Sequence, residues 1–497
     1  MADGHLLSID LGTTAVKVGL LSLSGKLVGL SEQEYILLTP GKELVELPVE
    51  TYWSSILNGV QEVRRTSGVD LQSVLALSIS SQGETLICVD NQGTPLRNAI
   101  VWLDARAEEE ADELAQEFTQ RALLEKTGYS QMAAVWPAPK ILWLKRHEPE
   151  TFAKTAKFLI VKDYIVWRLS GEYLTDPSVS ASTIYFDIQK KEWWPEMLTA
   201  IGVNATQLPD VASSNDVAGT ILPDAAAAMG LSNETKVVVG AMDQMAAALG
   251  AGNIGPGAVT ESTGTALAVI ATVNKPVFDL ELQVPCCPHA VPDLFVLMPY
   301  SETSGILLKW FRETFPCSKS GNEEYSQLLS FAAKVDPGSD GLTALPHFTG
   351  TGFPDFNPHA RGAFAGITLQ HTRAHFVRSI VESVAFLLKD NIDLLVGLSV
   401  PVKAVRSLGG AARSDIWLQI KADVLNLPVE APDCKDAASV GAAVLAGLGA
   451  NIYSDFNDAV NRVVTSHRTF MPNTENSSIY GEAYEAYRSL YQRLYGR

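Results

Sequence analysis

The sequence predicts an α/β protein of two domains, and three observations carry that prediction. At 497 residues the chain exceeds what a single core organises, so two large domains are expected. Short apolar runs broken by glycine alternate with longer stretches of three- and four-residue apolar spacing, the patterns of strand and helix respectively. After Gly257 the chain resembles a second beginning: AVTESTGTALAVIAT repeats the strand, Gly/Thr turn, strand order of SIDLGTTAVKVGL near the N-terminus. This weak internal repeat gives two related domains, 1–252 and 253–497, parted in the stretch LGAGNIGPG. Each offers one hairpin loop, and a cleft between the two domains is expected to take a ligand.

Taken in order, LLSIDLG, AVKVGLLSL and SGKLVGL predict consecutive antiparallel strands joined by tight turns. Residues 48–65 and 106–126 read as helices, with Ala111, Leu114, Ala115, Phe118 and Ala122 sharing one face of the second. Between them, SVLALSISSQ and ETLICVD read as strands. KVVVGA is a strand that gives way to a helical run at Asp243. In the second half, Val377, Ile380, Val381, Val384 and Leu388 mark a long helix over 376–395, a packing stripe. AVRSLGG then reads as strand and glycine turn, before a helix in ARSDIWLQIKADVL that Ser414 caps.

With 46% hydrophobic and 19% charged residues, the composition is that of an ordinary globular protein. The net charge of −18 argues against nucleic acid or an anionic membrane as partner, since both need an excess of Lys and Arg. It does not bear on a nucleotide, which backbone N–H groups, a few lysines and a metal can hold. Cys88, Cys286, Cys287, Cys317 and Cys434 form no CxxC pair and no metal-ligand cluster, which fits reduced thiols. The N-terminal MADGHLLSIDLGTT lacks a basic stretch before an apolar run, and no segment has the apolar length of a membrane span. A soluble, cytoplasmic protein is expected.

GAGNIG at 250–255 fits GxGxxG, yet it follows a helical run and precedes Pro256, the reverse of a dinucleotide fingerprint. No GxxxxGK[ST], HExxH or GxSxG occurs. Asp10, ending an apolar strand before Gly12, Thr13, Thr14 and Lys17, suits a phosphate site. Small residues let N–H groups approach phosphate, Lys17 adds charge, and Asp10 can hold magnesium. The same segment also reads as an ordinary hairpin turn. Thr263, Gly264 and Thr265 form a second such turn, and Gly409, Gly410 and Ala411 leave backbone open to a flat group. Asp243 starts a helix, where the dipole favours the ionised carboxylate as a proton acceptor; a plain cap is the alternative.

Together these pieces resemble the FGGY family of carbohydrate kinases over essentially the whole chain. WPAPKILWLKRHEPE at 136–150 is similar to the family's first signature, and GAFAGITLQHTRAHFVRSIVES at 362–383 to its second. The resemblance implies two actin-like (ribonuclease H-like) domains with a nucleotide and sugar cleft between them. It makes ATP and Mg2+ the cofactors, Asp243 the catalytic base, and Asp10, Thr13, Thr14 and Lys17 the first phosphate loop, with Asp10 at the metal. Thr263, Gly264 and Thr265 become the second loop, and Gly409, Gly410, Ala411 and Ser414 the border of the adenosine site, with Gly305 added to it. Homodimers are common in the family and are the analogy for assembly.

The resemblance divides at the acceptor. Gln82, Glu84, Trp102, Asp104 and the Asp243–Gln244 pair fit a polyol site like that of glycerol kinases, but Gly83 stands where an arginine is expected there. The 136–150 run is nearer the xylulokinases and gluconate kinases, whose Met-His pair is here Gly83–Glu84. A glycine in place of a long cation removes donors and opens space, and Glu84 can accept from two neighbouring hydroxyls, which suits a neutral acceptor better than a sugar acid. The expectation is a small sugar, first a ketopentose such as D-xylulose and next a polyol. An actin-like ATPase or a sensor that binds sugar without turnover are the alternatives from other classes.

Overall fold

The computed structural model describes residues 4–316, 325–434, 436–464 and 467–496; Cys317 lies outside them. The chain divides into two compact units, of which unit 1 is Met1–Ile254, Asn274–Val296 and Cys434–Thr465, and unit 2 is Gly255–Val273, Leu297–Asp433 and Ser466–Arg497. The chain thus passes from one unit to the other several times, where the sequence reading divides it once, after residue 252.

Unit 1 is built on a six-stranded mixed sheet of β1 (His5–Leu11), β2 (Ala15–Ser22), β3 (Leu27–Glu34), β4 (Val74–Ser81), β5 (Val217–Thr220) and β6 (Lys236–Met242), in the order β5-β6-β4-β1-β2-β3. β1 to β3 form the antiparallel meander, and β4 and β6 run parallel to β1. β1 is buried along its whole length, which a strand covered on both faces requires. One covering element is the helix Ala437–Gly449, which meets the helix Asp243–Gly250 at very short range. A Cβ on Gly250 would lie 2.0 Å from the Ala437 carbonyl oxygen, and one on Gly441 would lie 1.8 Å from that of Ala246. Gly250, the first glycine of the GxGxxG match, therefore serves helix packing.

Unit 2 repeats the plan with β7 (Val259–Thr263), β8 (Leu267–Val273), β9 (Val405–Leu408), β10 (Val429–Pro432) and β11 (His467–Phe470), in the order β8-β7-β9-β10-β11. β7 pairs antiparallel with β8 and parallel with β9, as β1 does with β2 and β4, and each sheet closes this side with an antiparallel strand, β11 or β5. The helix Arg373–Gly397 buries Val377, Ile380, Val381, Val384 and Leu388 against Trp417, Ile420 and Tyr480, the packing role its periodicity predicts.

One predicted helix is two. Residues 106–126 fold as Glu108–Glu117 and Gln120–Thr127, because the Thr119 hydroxyl accepts from Ala122 N at 3.2 Å and starts a new helix there. Among the described residues, no helix is long and apolar enough to cross a membrane.

Candidate active site

The β1–β2 hairpin of unit 1 brings the first predicted loop together by register. Asp10 stands opposite Lys17 on β2 and Ser80 on β4, and Ser80 Oγ donates to Asp10 Oδ1 at 2.8 Å. The turn closes with Gly12 N donating to the Ala15 carbonyl at 2.9 Å, while Trp102 Nε1 donates to Thr13 Oγ1 at 2.8 Å and Thr14 lies exposed. Lys17 Nζ is 2.8 Å from Asp436 Oδ2, and Asp436 also caps the Ala437–Gly449 helix. Burial would lower the Lys17 pKa, but the bond to Asp436 and the nearby carboxylates outweigh it, so the ammonium is held charged. Lys17 meets a phosphate only in competition with Asp436. Burial, then the Asp436 charge, lifts Asp10 to about 6 against the opposing Ser80 bond and Lys17.

Asp243 is the first residue of its helix and accepts from Gln244 N at 2.6 Å. The sequence reading has the helix dipole keeping this carboxylate ionised. Instead burial, with Asp10 and Glu84 adding repulsion, raises it to about 7, so at neutrality the unliganded group carries a proton part of the time. Glu84 sits in a tight turn at φ +54°. Burial raises it to about 7 while Ser182 and Lys140 oppose the shift. Asp243 thus feels the charges of two further carboxyls, Asp10 and Glu84, of the same unit.

Three positions expected at the acceptor site have close neighbours within unit 1. Gln82 is only 4% exposed, and its amide donates to the Gly12 carbonyl and the Tyr52 hydroxyl, each at 3.2 Å, so it braces the first loop from behind. Asp104 is fully buried and accepts from Val45 N at 2.6 Å and from Arg106 Nε at 2.8 Å, so it holds the loop that carries Trp102. Gly83 opens no space along its Cβ direction, because Ser182 Oγ lies 2.7 Å from where that atom would be. Glu84, Trp102, Asp243 and Gln244 stay partly exposed and remain available.

In unit 2, Thr263, Gly264, Thr265, Gly305, Gly410, Ala411 and Ser414 all line one pocket of 830 Å³. Its walls include apolar Leu308, Leu329 and Trp417, with Lys309 and Arg413 as cations, a lining suited to a flat ring and an anionic tail. Gly305 is needed because a Cβ there would come within 2.5 Å of the Gly264 carbonyl oxygen. Gly409 is not among the lining residues; at φ +77° it turns the chain just before them, and a Cβ there would lie 3.1 Å from Ser262 Oγ. The Thr263 side chain is engaged inward. Its hydroxyl faces the core, donating to Glu261 Oε2 at 2.7 Å and accepting from Lys421 Nζ at 2.9 Å, so only its backbone can serve a ligand. Ser414 doubles as the helix cap, accepting from Trp417 N at 3.4 Å.

Sequence reasoning passes over Asp436, Lys140, Glu261 and Lys421. Lys140 lies inside the quoted 136–150 motif, fully buried, with Nζ 3.0 Å from the Val101 carbonyl, and burial lowers it to about 7. Lys421 interrupts the apolar run WLQIKADVL, and a cation at a core-facing helical position is the signal that could have marked it. Among the described residues no three His, Cys, Asp or Glu side chains converge as a metal site.

Comparison with known proteins fits this geometry. Residues 5–250 match the N-terminal domain of the FGGY family of carbohydrate kinases, and 259–450 match its C-terminal domain. The chain is 31% identical to the xylulose kinase of Bacillus subtilis (strain 168), over 98% of this chain and 96% of that protein. Among solved structures it superposes on gluconate kinase from Lactobacillus acidophilus with a TM-score of 0.89 at 25% identity, covering 99% of this chain and 98% of the other. For xylulose kinase from Rhodospirillum rubrum the TM-score is 0.88 at 26% identity, with 99% of both chains covered. With the paired actin-like sheets and the hairpin loops already in place, these matches make the chain a member of the FGGY family of carbohydrate kinases, an ATP-dependent sugar phosphotransferase.

Proposed function

We propose that the protein phosphorylates a neutral ketopentose such as D-xylulose in the cytoplasm, with Asp243 as general base. The observation that carries the choice of a neutral acceptor is that Asp243, raised to about 7 chiefly by burial, also feels repulsion from Asp10 and Glu84. A sugar acid would add a further negative charge to that group, whereas hydroxyls hydrogen-bond to it. Glu84 accepts from vicinal hydroxyls, and Trp102 and Gln244 complete the acceptor side. A polyol is the second reading, favoured because the Glu84 carboxylate accepts from hydroxyls and offers nothing to a carbonyl.

Unit 2 supplies the nucleotide pocket. The Thr265 backbone N–H meets phosphate oxygens, since Gly264 N is taken up by the Ala266 carbonyl at 3.0 Å, and the adenosine group lies along Gly410 and Ala411. Asp10 is the group that would hold magnesium. One carboxylate with phosphate and water oxygens satisfies that ion, and a carboxyl that burial and then the Asp436 charge raise to about 6 fits a cation there. When bound, the ion neutralises charge on the phosphate oxygens. Asp243 accepts the proton of the acceptor hydroxyl as the oxygen–phosphorus bond forms and the bond to the leaving ADP breaks. A base with pKa near 7 is matched to that task at neutral pH.

The test is ADP release with Mg-ATP against D- and L-ketopentoses, erythritol, glycerol and gluconate, each compared with a sugar-free control. Release is expected for a ketopentose, and Asp243→Ala should lower kcat about 10²- to 10⁴-fold with little change in the KM for ATP. Preference for gluconate would overturn the neutral-acceptor reading, and equal slow release in every well would favour an ATPase or a sensor.

A further inference from the structure

The strand that delivers Asp243 is irregular just before it. β6 shifts register against β4 between Val238 and Ala241, and Gly240 within the shift has φ +82°. A Cβ on Gly240 would sit 1.8 Å from the Ile79 carbonyl oxygen, so only glycine fits. A bulge of this kind re-aims the residues after it and takes backbone groups out of the ladder, which must find other partners when buried.

They find them in a buried polar cluster of the same unit. Val239 N donates to the Asp216 carbonyl at 3.0 Å and Gly240 N to that of Ser214 at 2.9 Å. The Val239 carbonyl accepts from Lys162 Nζ at 3.3 Å, and Met242 N, one residue before Asp243, donates to Ser178 Oγ at 2.9 Å. Ser178 Oγ in turn donates to Asp176 Oδ2 at 2.5 Å, which also accepts from Ser178 N at 3.0 Å and Ser214 Oγ at 2.9 Å. Lys162 Nζ lies 3.2 Å from Asp176 Oδ1 and 3.6 Å from Asp163 Oδ1. Lys162 and Asp176 are 0% exposed and Ser178 is 1% exposed, so bulk solvent does not reach the cluster.

Burying a charged pair to hold one strand bulge is an expensive way to obtain stability, since apolar residues of like volume do as well or better. What the cluster secures is geometry: both ends of the bulge are tied to one rigid point, and the next side chain along the strand is Asp243. We infer that Lys162, Asp176 and Ser178 are positioning residues for the catalytic base. They touch neither nucleotide nor acceptor; they fix the Val239–Met242 backbone and through it the direction of the Asp243 carboxylate. The inference rests on the reading of Asp243 as base.

The test places Ser178→Ala, Asp176→Asn and Lys162→Met each in the wild-type chain and in the Asp243→Ala chain. Rates are normalised to the folded fraction measured by nucleotide binding. In the wild-type chain kcat should fall about 10- to 100-fold, with both KM values within about twofold of their starting points. Ser178→Thr, which keeps the hydroxyl, should recover most of the loss. On the Asp243→Ala chain the same changes should cost nothing further, because there is no base left to aim. Unchanged kcat in the wild-type chain, an equal further loss on Asp243→Ala, or equal impairment by Ser178→Thr and Ser178→Ala would each overturn the positioning role. Near-normal turnover of Asp243→Ala alone would instead remove the base assignment, so the two failures are distinct.

Discussion

The hairpins β1–β2 and β7–β8 have the same place in their sheets and bury charge in opposite ways. Counting back from the turn glycine, Ile9 and Glu261 occupy equivalent positions, three residues before Gly12 and Gly264, and both are at most 1% exposed. Ile9 simply joins the apolar core. Glu261 is a carboxylate in that position, matched by Lys421 Nζ at 2.5 Å, with Ser407 and Thr263 donating to it as well. One residue closer to the turn, the first hairpin presents Asp10 and the second presents Ser262. Asp10 has a hydroxyl partner but no cation of its own, since Lys17 is engaged by Asp436. A carboxylate with a dedicated buried cation shapes the loop; one left without it is poised to bind what arrives. The second turn is also one residue shorter, three residues between paired positions against four.

The largest effect that can break this contrast is at Asp10. Asp10→Asn should lower kcat about 10²- to 10³-fold, the scale on which loss of an electrostatic group at the reacting charge is felt. It should at the same time stabilise the unliganded protein above neutral pH. The sign follows from the raised values. Asp10 and Asp243 titrate at about 6 and about 7 when folded, against the ordinary aspartate value of 3.8, so between about pH 4 and pH 7 the native state binds more protons than the unfolded one. Their contribution to stability is therefore fully present below about pH 4 and is lost as pH rises through 6 and 7. The thermal midpoint of the unliganded wild type should decline over that window, and Asp10→Asn should flatten part of the decline, raising the midpoint at pH 8 by roughly 2–4 °C. Turnover should run the other way, increasing as both carboxyls ionise. A flat midpoint across pH 4–7 would mean that Asp10 is compensated after all.

At Lys421 the expectation inverts. Lys421→Met leaves Glu261 buried without a cation and should cost about 3–5 kcal/mol in urea unfolding. Glu261→Gln combined with Lys421→Met should recover much of it, because the charge is then gone from both partners. If the single variant unfolds at the wild-type denaturant concentration, Lys421 is not what neutralises Glu261 and the distinction between the hairpins fails.

Much of this was legible from the residues alone. The repeat between SIDLGTTAVKVGL and AVTESTGTALAVIAT is a real equivalence of paired strands, and seven of the residues assigned to the second loop and adenosine border share one pocket. Those features are local, written in turn chemistry and in runs of a few residues. The parts that were missed depend on where a side chain points. Gln82 and Asp104 look like ligands in sequence because polar residues at strand ends commonly are, but in the fold Tyr52 engages the Gln82 amide nitrogen and Arg106 the Asp104 carboxylate. Asp436 reads as an N-cap, which it is; its pairing with Lys17 across 419 positions has no sequence signature. The two-helix break at Thr119 is a capping signal that the continuous apolar stripe concealed.

The smallest effect sharpens the contrast within a single loop. Thr263 and Thr265 flank Gly264 and are alike in composition, yet the first is 2% exposed with its hydroxyl inside the Glu261–Lys421 cluster and the second is exposed at the pocket. Thr263→Val keeps the shape and removes the hydroxyl, so Glu261 and Lys421 each lose a partner. The cost should appear as about 1–3 kcal/mol in unfolding, with the KM for ATP nearly unchanged. Thr265→Ala should do the reverse: no measurable change in unfolding, and a KM for ATP raised about 3- to 10-fold, the equivalent of one modest hydrogen bond. Measuring both quantities on both variants separates a hydroxyl that shapes the loop from one that meets phosphate. If Thr263→Val weakens nucleotide binding as much as Thr265→Ala does, the inward hydroxyl is transmitting to the ligand through the loop, and the second hairpin is less purely structural than its buried ion pair makes it.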